Sequence, residues 1–112
     1  MEEVVGGSFG PTAHIKLITS KTYNTWIGTS PDQTVFYGAG WCGPCYGVND
    51  TLELLAADNP NYEVAVIDVD EYPEFWSRGN VHNIPTVVKF HDGFEVTRIE
   101  GNKPISEFKT LV

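Results

Sequence analysis

At 112 residues the chain has the usual size of one domain, long enough for a single core. Its 41% hydrophobic and 20% charged residues suit an ordinary soluble globular protein, with no run near the roughly 18 apolar residues of a membrane span. Fifteen acidic against seven basic residues give a formal charge of −8, which argues against broad binding to nucleic acid or an anionic membrane.

The start Met1-Glu2-Glu3 is acidic and no basic stretch with an apolar h-region follows, so no secretory signal is expected. Residues 1–12 carry Gly6-Gly7 and Gly10-Pro11 and few large apolar groups, which predicts a loose N-terminal arm before one domain over 13–112. Residues 14–19 alternate around Ile15, Leu17 and Ile18 and read as a first strand. Ser20 can cap a short helix to about residue 27, with Tyr23, Trp26 and Ile27 on one face. Turn signals fill 28–32, and 34–39 is an apolar run suited to a buried central strand.

A longer helix is expected from the cysteines to about residue 57, since Val48, Leu52, Leu55 and Ala56 recur at helical spacing and Asn59-Pro60 stops it. Residues 62–69 form a second continuous apolar strand, and 71–79 a short helix with Pro73 in its first turn. Strands at 86–90 and 95–99 join through His91-Asp92-Gly93-Phe94, a hairpin signal with Asp-Gly at its centre. Residues 106–112 are too short to stand alone as a helix. Early alternation and a closing hairpin give an α/β fold with a mixed sheet flanked by helices.

Both cysteines of the chain lie in Trp41-Cys42-Gly43-Pro44-Cys45, directly after the run Val35-Phe36-Tyr37. A C-x-x-C beside a strand–helix pattern reads as a thiol–disulfide redox motif. If Cys42 caps or opens the helix, its sulfur meets unpaired N–H groups and the positive end of the dipole, which favour the thiolate that attacks disulfides. Cys45, one turn on, faces the same side and can resolve a mixed disulfide. Pro44 suits the first turn, where its missing N–H costs nothing. Half of a zinc site is the competing reading. A second pair of ligands is absent and His14, His82 and His91 lack partner spacing, so no metal is expected.

The pentapeptide resembles the active site of thioredoxins. Ile84-Pro85-Thr86, about forty residues later, resembles the cis-proline loop which that family holds against its disulfide. Asp68-Val69-Asp70, Pro73, Gly93 and Gly101 also fall at similar spacing, and the likeness covers roughly 13–111. It implies the thioredoxin fold, with about five strands and four helices, and a dithiol–disulfide oxidoreductase that reduces partner proteins. In that resemblance Cys42 is the nucleophile, Cys45 the resolving thiol, Trp41 lies over the active surface, and Gly43 and Pro44 complete the loop. Ile84 and cis Pro85, with Asn83 beside them, would bind an extended client segment, a small case of strand addition. A β-branched Ile84 before the proline matches reductants of the superfamily better than oxidants. With no signal expected, a reducing intracellular compartment, the cytoplasm, is the natural inference, and a monomer is expected. Regeneration by an NADPH-dependent flavoenzyme, a thioredoxin reductase, is what the resemblance implies. No cofactor of its own is implied, since no phosphate-binding glycine loop is present.

The chain also departs from the family. Phe36 stands where a buried aspartate is usual, Gly38 where a tryptophan is, and Val66 where a lysine neighbours that aspartate. Tyr46 replaces a basic residue after the second cysteine, Gly47 softens the helix, Asp50 takes the place of a mid-helix proline and Asn83 that of a glycine. Loss of the acid predicts a stable but slower reductant. An oxidase or isomerase of the same fold and a glutathione-linked role are weaker enzymatic alternatives. A binding subunit that clamps a partner with incidental thiols is the alternative of another class.

Overall fold

Two continuous apolar runs, centred on Phe36 and Val66, form the middle of a five-stranded sheet in the computed structural model, which describes residues 9–112. The elements are β1 (Ile15–Leu17), α1 (Ser20–Trp26), β2 (Asp32–Gly38), α2 (Gly43–Asp58) and β3 (Glu63–Asp68). They continue with α3 (Phe75–Arg78), β4 (Thr86–His91), β5 (Phe94–Glu100), α4 (Ile105–Phe108) and a final 3-10 turn, Lys109–Leu111. The strand order is β1-β3-β2-β4-β5; β1, β3 and β2 run parallel, while β4 and β5 are antiparallel additions. This is the mixed sheet and helix complement that the sequence predicts.

Strand alternation splits the core in two. Phe36, Val64, Val66 and Val87 point to one face, where α2, Phe108 and Leu111 cover them. Val35, Tyr37, Ala65, Ile67 and Val88 point to the other, beneath Trp26 and Phe75. Both faces are buried, which is why β2 and β3 read as unbroken apolar runs and not as alternating ones. Phe108 and Leu111 show no exposed surface. Their burial holds a terminal segment whose length alone could not sustain a helix.

The differences from expectation are local. Thr19, not Ser20, caps α1: its Oγ1 accepts the Thr22 N–H at 3.2 Å and the Thr22 hydroxyl accepts the Thr19 N–H at 2.8 Å. Ser20 instead donates to Glu74. The helix expected over 71–79 shrinks to four residues, because Asp68 Oδ1 accepts the N–H groups of Asp70 (2.8 Å) and Glu71 (3.2 Å) and holds that stretch as a turn. The hairpin closes through Asp92 and Gly93, both left-handed at φ 51° and 86°. That pair of conformations suits an Asp-Gly turn matched to strand twist.

Candidate active site

β2 delivers the chain to the redox pair. It ends at Gly38, and the Cys42 N–H then donates to the Ala39 carbonyl at 3.1 Å, closing a turn with Gly40 and Trp41 at its centre. Trp41 is 65% exposed, so it belongs to the surface and not to the core. Cys42 is the N-cap of α2 and makes no side-chain capping bond. Gly43 and Pro44 open the helix, where the first N–H groups have no intrahelical partner. Cys42 and Cys45 are joined as a disulfide with Cα atoms 5.3 Å apart. Cys45 has no exposed surface while Cys42 keeps 4%, so Cys42 is the more accessible residue of the pair.

The peptide between Ile84 and Pro85 is cis. Pro85 is buried, Ile84 is half-buried against the cluster that contains both cysteines, and Asn83 is exposed. The loop is pinned on two sides: Thr86 donates its hydroxyl to the Asn83 carbonyl at 2.6 Å, and the Gly101 N–H donates to the Pro85 carbonyl at 2.8 Å. Ile84 thus joins this loop to the apolar cluster that holds Cys42 and Cys45, as the resemblance implies.

Two of the departures from the family, Phe36 and Val66, meet in this cluster. Phe36 is fully buried in it, and Val66 lies beside Phe36 in strand register. Tyr46 turns outward and donates its hydroxyl to the Gly40 carbonyl at 2.5 Å, tying the loop to α2 where a cation would otherwise stand. A Cβ on Gly47 would lie 2.9 Å from Asn102 Nδ2, the tip of an exposed side chain that can turn aside. None of the three histidines joins the site. His14 pairs with Glu53, His91 lies between Asp32 and Asp92, and His82 is exposed. No group of three or more His, Cys, Asp or Glu able to hold a metal occurs among the described residues.

Sequence reasoning missed Phe9. Residues 1–8 of the expected arm lie outside the described residues, but 9–12 are fastened to the domain. The Phe9 ring meets Phe36 edge-on, with centroids 5.6 Å apart at 84°. Gly10 donates its N–H to Asn49 Oδ1 at 3.0 Å, and Thr12 donates to Glu53. The clue was Gly38, since a glycine inside a central apolar strand marks a place where another group approaches closely.

Glu53 is the far anchor of this segment. It also accepts the His14 N–H at 2.8 Å. Burial alone would push its carboxyl up, but the hydrogen bonds from Thr12 and His14 outweigh that and hold it below the ordinary range. A depressed folded-state value contributes stability above the usual carboxylate pKa, and that stability is lost as pH falls through the folded value. Denaturant midpoints measured from roughly pH 5 down to pH 3 should therefore fall less steeply in Glu53→Gln than in the parent chain. Equal slopes would remove Glu53 from the acid response.

The comparisons agree with this geometry. The thioredoxin family model matches residues 14–112. Thioredoxin of Chlamydia pneumoniae is 36% identical over 96 residues, covering 86% of this chain and 92% of the relative. That of Mycoplasmoides gallisepticum is 32% identical, covering 88% and 99%. Among solved structures, a mutant thioredoxin from Halobacterium salinarum superposes with TM-score 0.79 at 29% identity, covering 88% of this chain and 87% of that one. A thioredoxin from Nicotiana alata superposes with TM-score 0.81 at 25% identity, covering 93% and 94%. With a C-x-x-C disulfide at the head of α2 and a cis-proline loop against it, the chain belongs to the thioredoxin family and is a thiol–disulfide oxidoreductase whose redox-active pair is Cys42 and Cys45.

Proposed function

We propose that the chain acts as an electron donor to disulfide-bonded client proteins, with Cys42 as nucleophile and Cys45 as resolving thiol. The observation that carries this reading is the asymmetry of the pair. Cys42 sits at the N-cap with a remnant of surface, and Cys45 lies one turn deeper with none. In the reduced chain the Cys42 thiolate attacks one sulfur of a client disulfide, which breaks that bond, forms a mixed disulfide and expels the other client sulfur as a thiolate that takes a proton. Cys45 then loses its proton and attacks Cys42 Sγ. The second client sulfur leaves and is protonated, and the Cys42–Cys45 bond closes. Two electrons pass from the chain to the client, whose two thiols take up two protons, one balancing that lost by Cys45 and one from solvent.

Exposed Trp41 and Asn83 flank the entry, and the Ile84–Pro85 segment offers a backbone edge to an extended client strand. An NADPH-dependent flavoenzyme of the thioredoxin reductase kind would regenerate the dithiol, and the cytoplasm, where glutathione and thioredoxin systems keep thiols reduced, is the compartment that suits it. No helix of the described residues is long and apolar enough to cross a membrane.

The test couples NADPH oxidation by a bacterial thioredoxin reductase to reduction of a protein disulfide, with this chain as the only carrier. Catalytic NADPH consumption that depends on the chain supports the proposal. No consumption, in a chain that dithiothreitol still converts into an active reductant, would overturn the choice of reductase. Inactivity with both donors would overturn the electron-donor role.

A further inference from the structure

Cys45, Asn49 and Glu53 lie four residues apart along one stripe of α2, and the N-terminal segment runs over that stripe. Thr12 and His14 hold Glu53, the Gly10 N–H holds buried Asn49, and Phe9 ends against Phe36 above Cys45. Gly10 adopts φ 130°, a conformation that glycine supplies without a Cβ penalty. A Cβ built on Gly38 would fall 2.5 Å from Phe9 Cε1 and 3.0 Å from Cys45 Sγ. Ring and sulfur therefore border the same small volume, which any side chain at position 38 would occupy.

We propose that Phe9 is a positioning residue for thiol–disulfide exchange: it seals Cys45 Sγ from water and keeps the Cys45 thiol neutral until the disulfide closes. Reduction of Cys42–Cys45 by a dithiol breaks the S–S bond and adds two electrons and two protons, one proton on each sulfur, while the donor's thiols become a disulfide. The proton on Cys45 is placed among Phe36, Val48, Val66 and the Phe9 ring. An apolar surround without water disfavours thiolate, so Cys45 does not compete with Cys42 for the client disulfide. The proposal rests on the assignment of Cys42 and Cys45 as redox pair.

The elements around Cys45 carry Asp50 and Asp58 on α2, Asp32 and Tyr37 on β2 and Glu63 on β3, besides Cys42, Tyr46, Glu53 and Asp68. Cys42 and Tyr46 stand at the head of α2, and Glu53 lies two turns along it. Asp68 of β3 is beside Gly38 in register, its Oδ1 occupied by the N–H groups of Asp70 and Glu71.

The test follows alkylation of Cys45 by iodoacetamide against pH in a Cys42→Ser chain carrying Phe9, Phe9→Leu or Phe9→Ala. Phe9→Ala is expected to lower the midpoint by about one pH unit or more and so raise the rate at pH 7 about tenfold. Phe9→Leu, which refills the apolar volume, should stay within about half a unit of the parent. If Phe9→Ala melts below the assay temperature, Phe9→Val serves in its place, with a smaller shift in the same direction. An unchanged midpoint in the truncated chain would overturn the proposal, as would an equal shift in Phe9→Leu. Loss of the shift on adding Asp68→Asn would also overturn it, by moving the effect to that carboxylate. None of these readings needs a client or a reductase, so they stand apart from the coupled assay above.

Discussion

Cys42→Ser is expected to reduce the rate of protein-disulfide reduction by roughly a thousandfold or more, to near the background of the small-molecule reductant. The serine hydroxyl keeps its proton near neutral pH and is a poor nucleophile toward sulfur, so the first bond of the exchange does not form. Cys45 cannot take over, because it has no exposed surface beneath Phe9 and Phe36. Cys45→Ser gives a different result. Its Cys42 still attacks, nothing expels the client, and a mixed disulfide through Cys42 accumulates. Mass mapping of a protein-disulfide substrate trapped on each variant separates the roles. A mixed disulfide through Cys45 in the Cys42→Ser chain would reverse them.

Phe36→Asp is the substitution with the largest expected effect on stability. Phe36 has no exposed surface and its ring meets Phe9 edge-on beside the redox pair. An aspartate there leaves a cavity and buries a carboxyl next to Val66, with no lysine from β3 to meet it. A loss of about 3 kcal/mol or more follows from the cavity and the desolvated polar group together. The sign with pH is set by burial, which favours the neutral acid and raises its pKa. A raised folded-state value means that the variant is relatively most stable in acid and weakens as pH rises through that value. At the same time a carboxylate beneath Cys45 can accept its proton, so turnover near neutral pH should rise. Denaturant midpoints from acid to neutral pH and single-turnover rates check both halves. Unchanged turnover would remove proton transfer from the account, and an unchanged midpoint would contradict the dry cluster.

Much of this architecture was readable in the chain. The unbroken apolar runs of β2 and β3 announced strands covered on both faces, and Asp92-Gly93 announced the hairpin. The C-x-x-C motif marked one half of the site by its chemistry, and Ile84-Pro85-Thr86 marked the other by its resemblance to the family's cis-proline loop. Contacts across the chain were harder to read. Phe9 sits in a glycine-rich stretch with weak local signals, and its role depends on a hole at Gly38 that exists only once β2 and α2 are packed. The short α3 was over-extended because Asp68 captures two N–H groups that periodicity alone would give to a helix. Gly47 reads as a weak point in a helix, and its neighbour Asn102 comes against it only in the fold.

The central claim is that Cys42–Cys45 donates electrons to proteins, and the equilibrium reduction potential of the pair tests it most directly. Alkylation trapping across defined dithiol buffers gives that value, and about 30 mV in this two-electron couple corresponds to a tenfold change in equilibrium constant. A potential below about −240 mV, on the reducing side of typical disulfide isomerases, is the predicted result. A value near about −120 mV, in the range of strong oxidants, would contradict the donor role.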